Sequence, residues 1–346
     1  MIPGVLDTVY CYLFPETWKI MKVVEESIPL WMYRLTGGSR EVKQALSNVF
    51  EDYPLNTTDK YKEWVTGGTV DLDNHLGVME RITTKYSEII HPLNDFEWVY
   101  PGAGSSPLIF HLLAYLKEKG YDTIATIAGE YAGYGAYANH LGMKVIIHNS
   151  FLDAVEEGNE NTVWFVSNPS ALNGNFVHPT FITSLCNKGV KVVLDLSYAG
   201  STHPYTYDVS NENILAVILS QSKPYGVFRF RMGGFLYSRE EIPSLFGNKW
   251  FKDPLRMLQS LKLVEDLGFH FLYRKYKYVQ EESIAKINNE YELPISPSDA
   301  LLIGYIEPSD IRSIDVKHRS MIEPYLRGRK HYRFCLTPHF EWRVDD

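Results

Sequence analysis

A lysine follows directly on an apolar run. Ile214 to Leu219 is succeeded by Ser220-Gln221-Ser222-Lys223-Pro224-Tyr225-Gly226. A neutral amine at such a strand end can attack an aldehyde and form an imine. Twenty-eight residues earlier a second apolar run, Val192-Val193-Leu194, ends on Asp195, with Ser197 and Tyr198 just beyond it. Further upstream, Tyr100-Pro101-Gly102-Ala103-Gly104-Ser105-Ser106 leads into a segment that reads as a helix from Pro107. Backbone N–H groups at a helix start attract phosphate. Singly, each feature has an ordinary use as a loop lysine, a turn carboxylate or a glycine turn with a capping serine. Their order and spacing carry the weight.

The elements that would position them alternate. Glu97–Tyr100, Thr123–Ala128, Lys144–His148, Val163–Ser167, Lys191–Asp195, Ile214–Leu219 and Gly234–Ser238 read as strands. Helices are expected from Pro107 to a stop at Gly120, over Ala132–Leu141, and over Thr180–Asn187 with a stop at Gly189. The strands lack a two-residue polar alternation, so both faces are expected to be covered. The fold class is therefore α/β, with a mostly parallel central sheet covered by helices. The chemistry-bearing residues fall just after these strands, where open α/β sheets bind ligands. A long helical pattern runs from about 254 to 290, with a shorter mixed region after it.

The chain has 346 residues, 45% hydrophobic and 22% charged, with a net charge of -8. That length suits one large domain and a smaller one. The acidic balance and the lack of a basic stripe argue against nucleic-acid binding. No apolar run approaches the roughly 18 residues of a membrane span, and no signal-peptide pattern opens the sequence. Cysteines at 11, 186 and 335 have no metal-type spacing, so no metal is expected and a reducing cytoplasm is the expected compartment.

Ser220-x-Ser222-Lys223-x-x-Gly226, with Arg231 eight residues past the lysine and Gly233 ten past it, resembles the cofactor-lysine signature of class I and II aminotransferases. The resemblance implies the aspartate aminotransferase fold (fold type I) with a smaller α+β C-terminal domain, and pyridoxal 5'-phosphate as cofactor. It also implies roles. Lys223 carries the cofactor as a Schiff base, and Arg231 and Ser220 contact its phosphate. Asp195 pairs with the ring nitrogen and Tyr198 with the phenolic oxygen. Gly104 and Ser105 match the phosphate loop, and Tyr131 the aromatic that stacks on the ring. Asn168 is favoured as donor to the cofactor oxygen. Asn173 is the reserve, because the glycine of Asn168-Pro169-Ser170-Ala171-Leu172-Asn173-Gly174 comes three residues late. Arg333 matches the arginine for the substrate carboxylate, with Arg327 and Arg329 as competitors.

The resemblance spans about residues 95–240 and, more loosely, the C-terminal end. It implies an enzyme acting on an amino acid by transamination, with Lys223 as general base. A second reading keeps the cofactor but eliminates or cyclises a modified amino acid, as capreomycidine-synthase-like enzymes do. Glu130 would then be a candidate carboxylate for a substrate guanidinium. The expected division is residues 1–45 as an arm, 46–245 as the cofactor domain and 246–346 as connector helix and small domain. A homodimer is expected, to which Tyr61 or Trp64 could donate.

Overall fold

The computed structural model describes residues 2–6, 14–27, 76–151, 161–246, 254–329 and 331–340. Along the chain, α1 (Pro15–Ser27) and α2 (Leu76–Tyr86) precede β1 (Ile90–His91), β2 (Trp98–Gly102), α3 (Ser105–Glu118), β3 (Thr123–Ile127), α4 (Ala132–His140) and β4 (Lys144–His148). Then come β5 (Thr162–Ser167), α5 (Pro179–Asn187), β6 (Lys191–Leu196), β7 (Tyr207–Asp208), β8 (Ile214–Ser220) and β9 (Gly234–Ser238). The C-terminal part holds α6 (Pro254–Asp266), α7 (Phe271–Tyr291), β10 (Ser296–Pro297), β11 (Ile303–Ile306), α8 (Val316–Ile322), β12 (Leu326–Arg327) and β13 (His331–Cys335).

Among the described residues the large sheet has seven strands in the order β2-β9-β8-β6-β5-β3-β4. β3, β4, β5, β6 and β8 pair in parallel, and β9 runs antiparallel to both its neighbours, β8 and β2. Its strands bury both faces because successive side chains enter two different cores. Val192 and Leu194 join one hydrophobic cluster, and Val193 the other. Val217 and Leu219 face the first cluster, while Ala216 and Ile218 face the second. A strand covered on both sides needs apolar residues at every position, so the sequence shows no alternation. α3 contributes Leu108, Ile109, Leu112, Leu113 and Leu116 to the second core.

A smaller antiparallel sheet has the order β10-β11-β13-β12. The N-terminal residues join it: Leu6 bridges to Cys335, and the Ile2 N–H donates to Tyr325 Oη at 3.0 Å.

Two helix expectations change. The pattern over 254–290 is two helices. Gly268 and His270 adopt left-handed φ angles of 62° and 63° between them, which ends α6 and reorients the chain. α3 begins at Ser105, two residues before Pro107. Its N-cap is Gly104 at φ 87° rather than Ser106, whose hydroxyl is instead paired with Tyr131 Oη at 2.8 Å.

Candidate active site

The C-terminal ends of β3, β5, β6 and β8 open on a cavity of about 440 Å³. It is larger than the hollows of about 180 and 100 Å³ beside Tyr115 and beside Met257. Its size suits a cofactor plus a small substrate. The register of the parallel strands sets the arrangement. Ser167 pairs with Asp195 across β5 and β6, and Asp195 with Ile218 across β6 and β8. Ser220 ends β8, Lys223 follows on the next turn, and both line the same cavity.

Asp195 is buried and doubly held. Its Oδ1 accepts from the Ser197 N–H at 3.0 Å, and its Oδ2 accepts from Tyr134 Oη at 2.6 Å. Tyr134 is fully buried, and burial beside Asp195 and Glu130 pushes its hydroxyl far above the usual phenol range. It therefore stays protonated and serves as a donor. The Tyr134 ring meets Tyr131 edge-on at 5.3 Å. Tyr131, 37% exposed, lies at the cavity with its hydroxyl paired to Ser106. Its ring lies over Gly133: a Cβ there would sit 2.2 Å from the tyrosine ring, so any larger residue would displace Tyr131.

Lys223 lines the cavity with its Nζ 5.3 Å from the centre of the Tyr198 ring. The Ser220 hydroxyl accepts from the Ser222 N–H at 3.2 Å. Arg231 crosses to the glycine turn, where its Nη2 donates to the Ala103 carbonyl at 2.8 Å. That approach depends on glycines. A Cβ on Gly104 would meet the Arg231 guanidinium at 2.7 Å, and one on Gly234 would meet the Gly104 backbone at 2.2 Å. Ser105, the first residue of α3, lines the cavity beside this arginine.

Arg333 is buried on β13 and lines the cavity, with its Nη1 donating to the Ala171 carbonyl. Arg327 lines it too, and Arg329 does not. Arg327 is registered with His331, two residues before Arg333, so the two arginines share a face of the small sheet.

Thus Ser105, Tyr131, Asp195, Tyr198, Ser220, Lys223, Arg231 and Arg333 converge on one cavity, and Gly104 stands immediately behind its wall. Asn168 is not among the lining residues. Its Oδ1 accepts from the Val177 N–H at 3.1 Å, so the group it has left to offer a ligand is Nδ2. The Asn173 side chain accepts from the Asn175 N–H at 3.1 Å and belongs to the turn. The residues after Asn168 close on themselves: Gly174 N–H donates to Ser170 O, and Ser170 N–H to Asn175 O. Tyr61 and Trp64 lie outside the described residues.

Sequence reading missed Tyr134 and Ser197. The signal for Tyr134 was its place three residues after Tyr131, which stacks two side chains on one helix face. Ser197 sits between Asp195 and Tyr198. Its hydroxyl is buried at the cavity wall and has no hydrogen-bond partner among the described residues. Glu130, expected under the second reading as a guanidinium partner, turns its carboxylate into the turn after β5. Ser167 Oγ and the Ala171 N–H donate to its Oε2, and Ser170 Oγ to its Oε1.

Solved structures with this arrangement of elements are similar to the chain only distantly in sequence. The aspartate aminotransferase from Thermus thermophilus with maleate is 11% identical, with a TM-score of 0.59 over 75% of this chain and 77% of that one. The chain has the aspartate aminotransferase fold. The PLP-bound C-S lyase from Staphylococcus hominis is 14% identical, with a TM-score of 0.58 over 81% of this chain and 83% of that one. L-threonine-O-3-phosphate decarboxylase from Porphyromonas gingivalis is 15% identical, with a TM-score of 0.55 over 78% and 84%. No protein-family model matches the chain, and no curated protein matches it. Among the described residues no helix is long and apolar enough to cross a membrane, and no cluster of potential metal ligands occurs.

Proposed function

We propose that this chain is a pyridoxal-phosphate-dependent enzyme that moves the amino group of an amino acid to a 2-oxo acid. The observation that carries the reading is the convergence of Lys223, Asp195, Tyr198, Ser220 and Arg231 on one cavity at the C-terminal ends of parallel strands. The residues fit the cofactor. A buried, unpartnered Ser197 hydroxyl stands at the wall, and the Gly104 and Gly234 backbones make a cradle that a Cβ would fill. A lysine, a carboxylate and a guanidinium match an aldehyde, a ring nitrogen and a phosphate.

Pyridoxal phosphate, when bound, supplies an aldehyde that takes up amines and a ring that stabilises negative charge at the substrate Cα. The protein's residues do the rest. Arg231, Ser220 and the start of α3 with Gly104 and Ser105 hold the phosphate. Asp195, oriented by Tyr134 and Ser197, holds a proton on the ring nitrogen. Tyr198 donates to the phenolic oxygen, as Asn168 Nδ2 would, and Tyr131 covers the ring face. Arg333 would bind the substrate α-carboxylate, and Lys223 Nζ would take the Cα proton and deliver it to the carbon that bore the aldehyde, leaving a 2-oxo acid after hydrolysis. Purified protein should absorb visible light after incubation with pyridoxal phosphate, and Lys223→Ala should lose that band. A wild type left colourless once unbound cofactor has been removed would refute the proposal.

A second reading, elimination, cyclisation or decarboxylation with the same cofactor, is favoured by the lengthened 168–174 turn and by the lyase and decarboxylase among the similar structures. Incubating an amino-acid panel with and without a 2-oxo acid separates the two. Product that needs the acceptor supports transfer, and product without it supports the alternative. The proposal includes a cytoplasmic homodimer, checked by light scattering. It also divides the chain into residues 1–45, 46–245 and 246–346, a layout supported by the separate large and small sheets.

A further inference from the structure

Glu130 leaves the end of β3 and sends its carboxylate beneath the turn that follows β5. Three donors surround it: the hydroxyls of Ser167 and Ser170 and the Ala171 N–H, the last at 3.1 Å. The same Ala171 N–H also lies 2.7 Å from Ser167 Oγ, so carboxylate, serine and peptide form one knot. On its other side Ala171 offers its carbonyl to Arg333 Nη1. One residue therefore separates a half-buried acid from the buried guanidinium that faces the cavity.

We propose that Glu130 is a positioning residue that fixes the Arg333 guanidinium by clasping the 167–171 turn. The inference rests on the reading of Arg333 as the anchor for the substrate carboxylate. It accounts for the three additional residues after Asn168, which form the turn that Glu130 holds.

The clasp works through acceptor atoms, with two carboxyl oxygens meeting three donors. An ionised carboxylate only accepts, whereas an amide places an NH2 against at least one of three inward-pointing donors. The amide can keep its oxygen on Ser167 and the Ala171 N–H only by turning its NH2 to Ser170, which then loses its acceptor in the clasp. Burial pushes the Glu130 carboxyl up to about 6, as expected of an acid kept inside by its partners. The seam around it is tight. A Cβ on Gly129 would stand 2.4 Å from Leu172 Cδ1 and 2.8 Å from the Gly328 N, so the end of β3 presses on both the turn and the β12–β13 connection. Glu130 lines the cavity as well, but with its oxygens committed to the turn its action on the substrate runs through Arg333.

The test is a double-mutant cycle on pyridoxal-phosphate-loaded protein, with L-alanine as the probe and cofactor absorbance as the readout. Glu130→Gln should raise the L-alanine Kd about tenfold while leaving the pyridoxal phosphate Kd within about threefold. Arg333→Lys should weaken L-alanine at least as much. The double variant should match Arg333→Lys alone within about threefold, because both changes remove one linked interaction. Unchanged L-alanine affinity in Glu130→Gln, or effects that multiply in the double variant, would overturn the inference. In cofactor-free protein, Glu130→Gln should speed hydrogen exchange at the Ala171 amide about tenfold or more, and unchanged exchange would also overturn it. This arm stands even if the wild type takes up no pyridoxal phosphate, an outcome that refutes the proposed function instead. If Glu130→Gln does not fold, Ser170→Ala removes one donor and should shift the same readouts in the same direction.

Discussion

Tyr134 Oη donates to Asp195 Oδ2 at 2.6 Å, from a side chain with no solvent exposure. The carboxylate is thereby oriented from the side away from the Ser197 amide. Tyr134→Phe keeps the ring and its contact with Phe165, whose centroid is 5.1 Å away. It deletes one hydrogen bond to an acid, worth about 1.5–3 kcal/mol. The fold should survive, and pyridoxal phosphate affinity should fall by at least about tenfold, measured by absorbance titration. Unchanged affinity would mean that Asp195 needs no support from this helix.

Arg231 holds a left-handed backbone, φ 49°, while its side chain reaches Ala103. Arg231→Gly relieves that conformation, worth roughly 1–2 kcal/mol, but adds freedom to the unfolded chain, worth about 0.4–1 kcal/mol in the opposite direction. Urea unfolding of the cofactor-free protein should therefore change by less than about 2 kcal/mol. Binding of pyridoxal phosphate should weaken by about 100-fold, since a charge-assisted fork is lost. A large loss of stability would place the arginine in the fold rather than in the site.

Gly234→Ala would put a methyl group 2.2 Å from the Gly104 backbone. Neither strand end can yield easily, because β2 and β9 are paired there. The expected cost is about 2–3 kcal/mol of overpacking. Thermal unfolding should report it, and the visible band of loaded protein should weaken with it.

Glu130 makes folding depend on pH. Its carboxyl rises from an ordinary value near 4.5 to about 6 because desolvation outweighs three hydrogen bonds. The folded state therefore holds the proton more tightly than the unfolded one. The resulting stabilisation is full below about 4.5 and is lost as pH rises through about 6. The swing is at most roughly 2 kcal/mol, less the screening that its partial exposure allows. Urea unfolding at pH 4.5 and 7.5 should show a smaller difference for Glu130→Gln than for wild type. Equal differences would remove Glu130 from the pH response.

Much of the large sheet is legible in the sequence because its strands are uniformly apolar and its helices end on glycines such as Gly120, Gly142 and Gly189, all at positive φ. The polar positions at the strand ends are legible for the same reason. Lys223, Asp195 and Arg231 are polar residues set after runs that have no use for them. What stays hidden depends on pairings distant in sequence. Tyr134 is one of 24 tyrosines, and nothing local says that its hydroxyl finds Asp195 from 61 positions away. Glu130 has the look of a solvated helix-start acid until the turn after β5 is folded over it. The helix break near residue 268 is masked by an apolar spacing that continues on both sides.

β9 lies between β2 and β8, so a segment near residue 235 separates two strands that begin near residues 98 and 214. A nascent polypeptide emerging from the ribosome can align β3, β5, β6 and β8 as they are made, yet Arg231 has no cradle until β9 has threaded in next to Gly104. Assembly of the turn around Arg231 is thus one of the last events in building the large sheet, and a truncated translation product ending before Ser238 would carry Lys223 without the complete strand that brings Gly234 against Gly104.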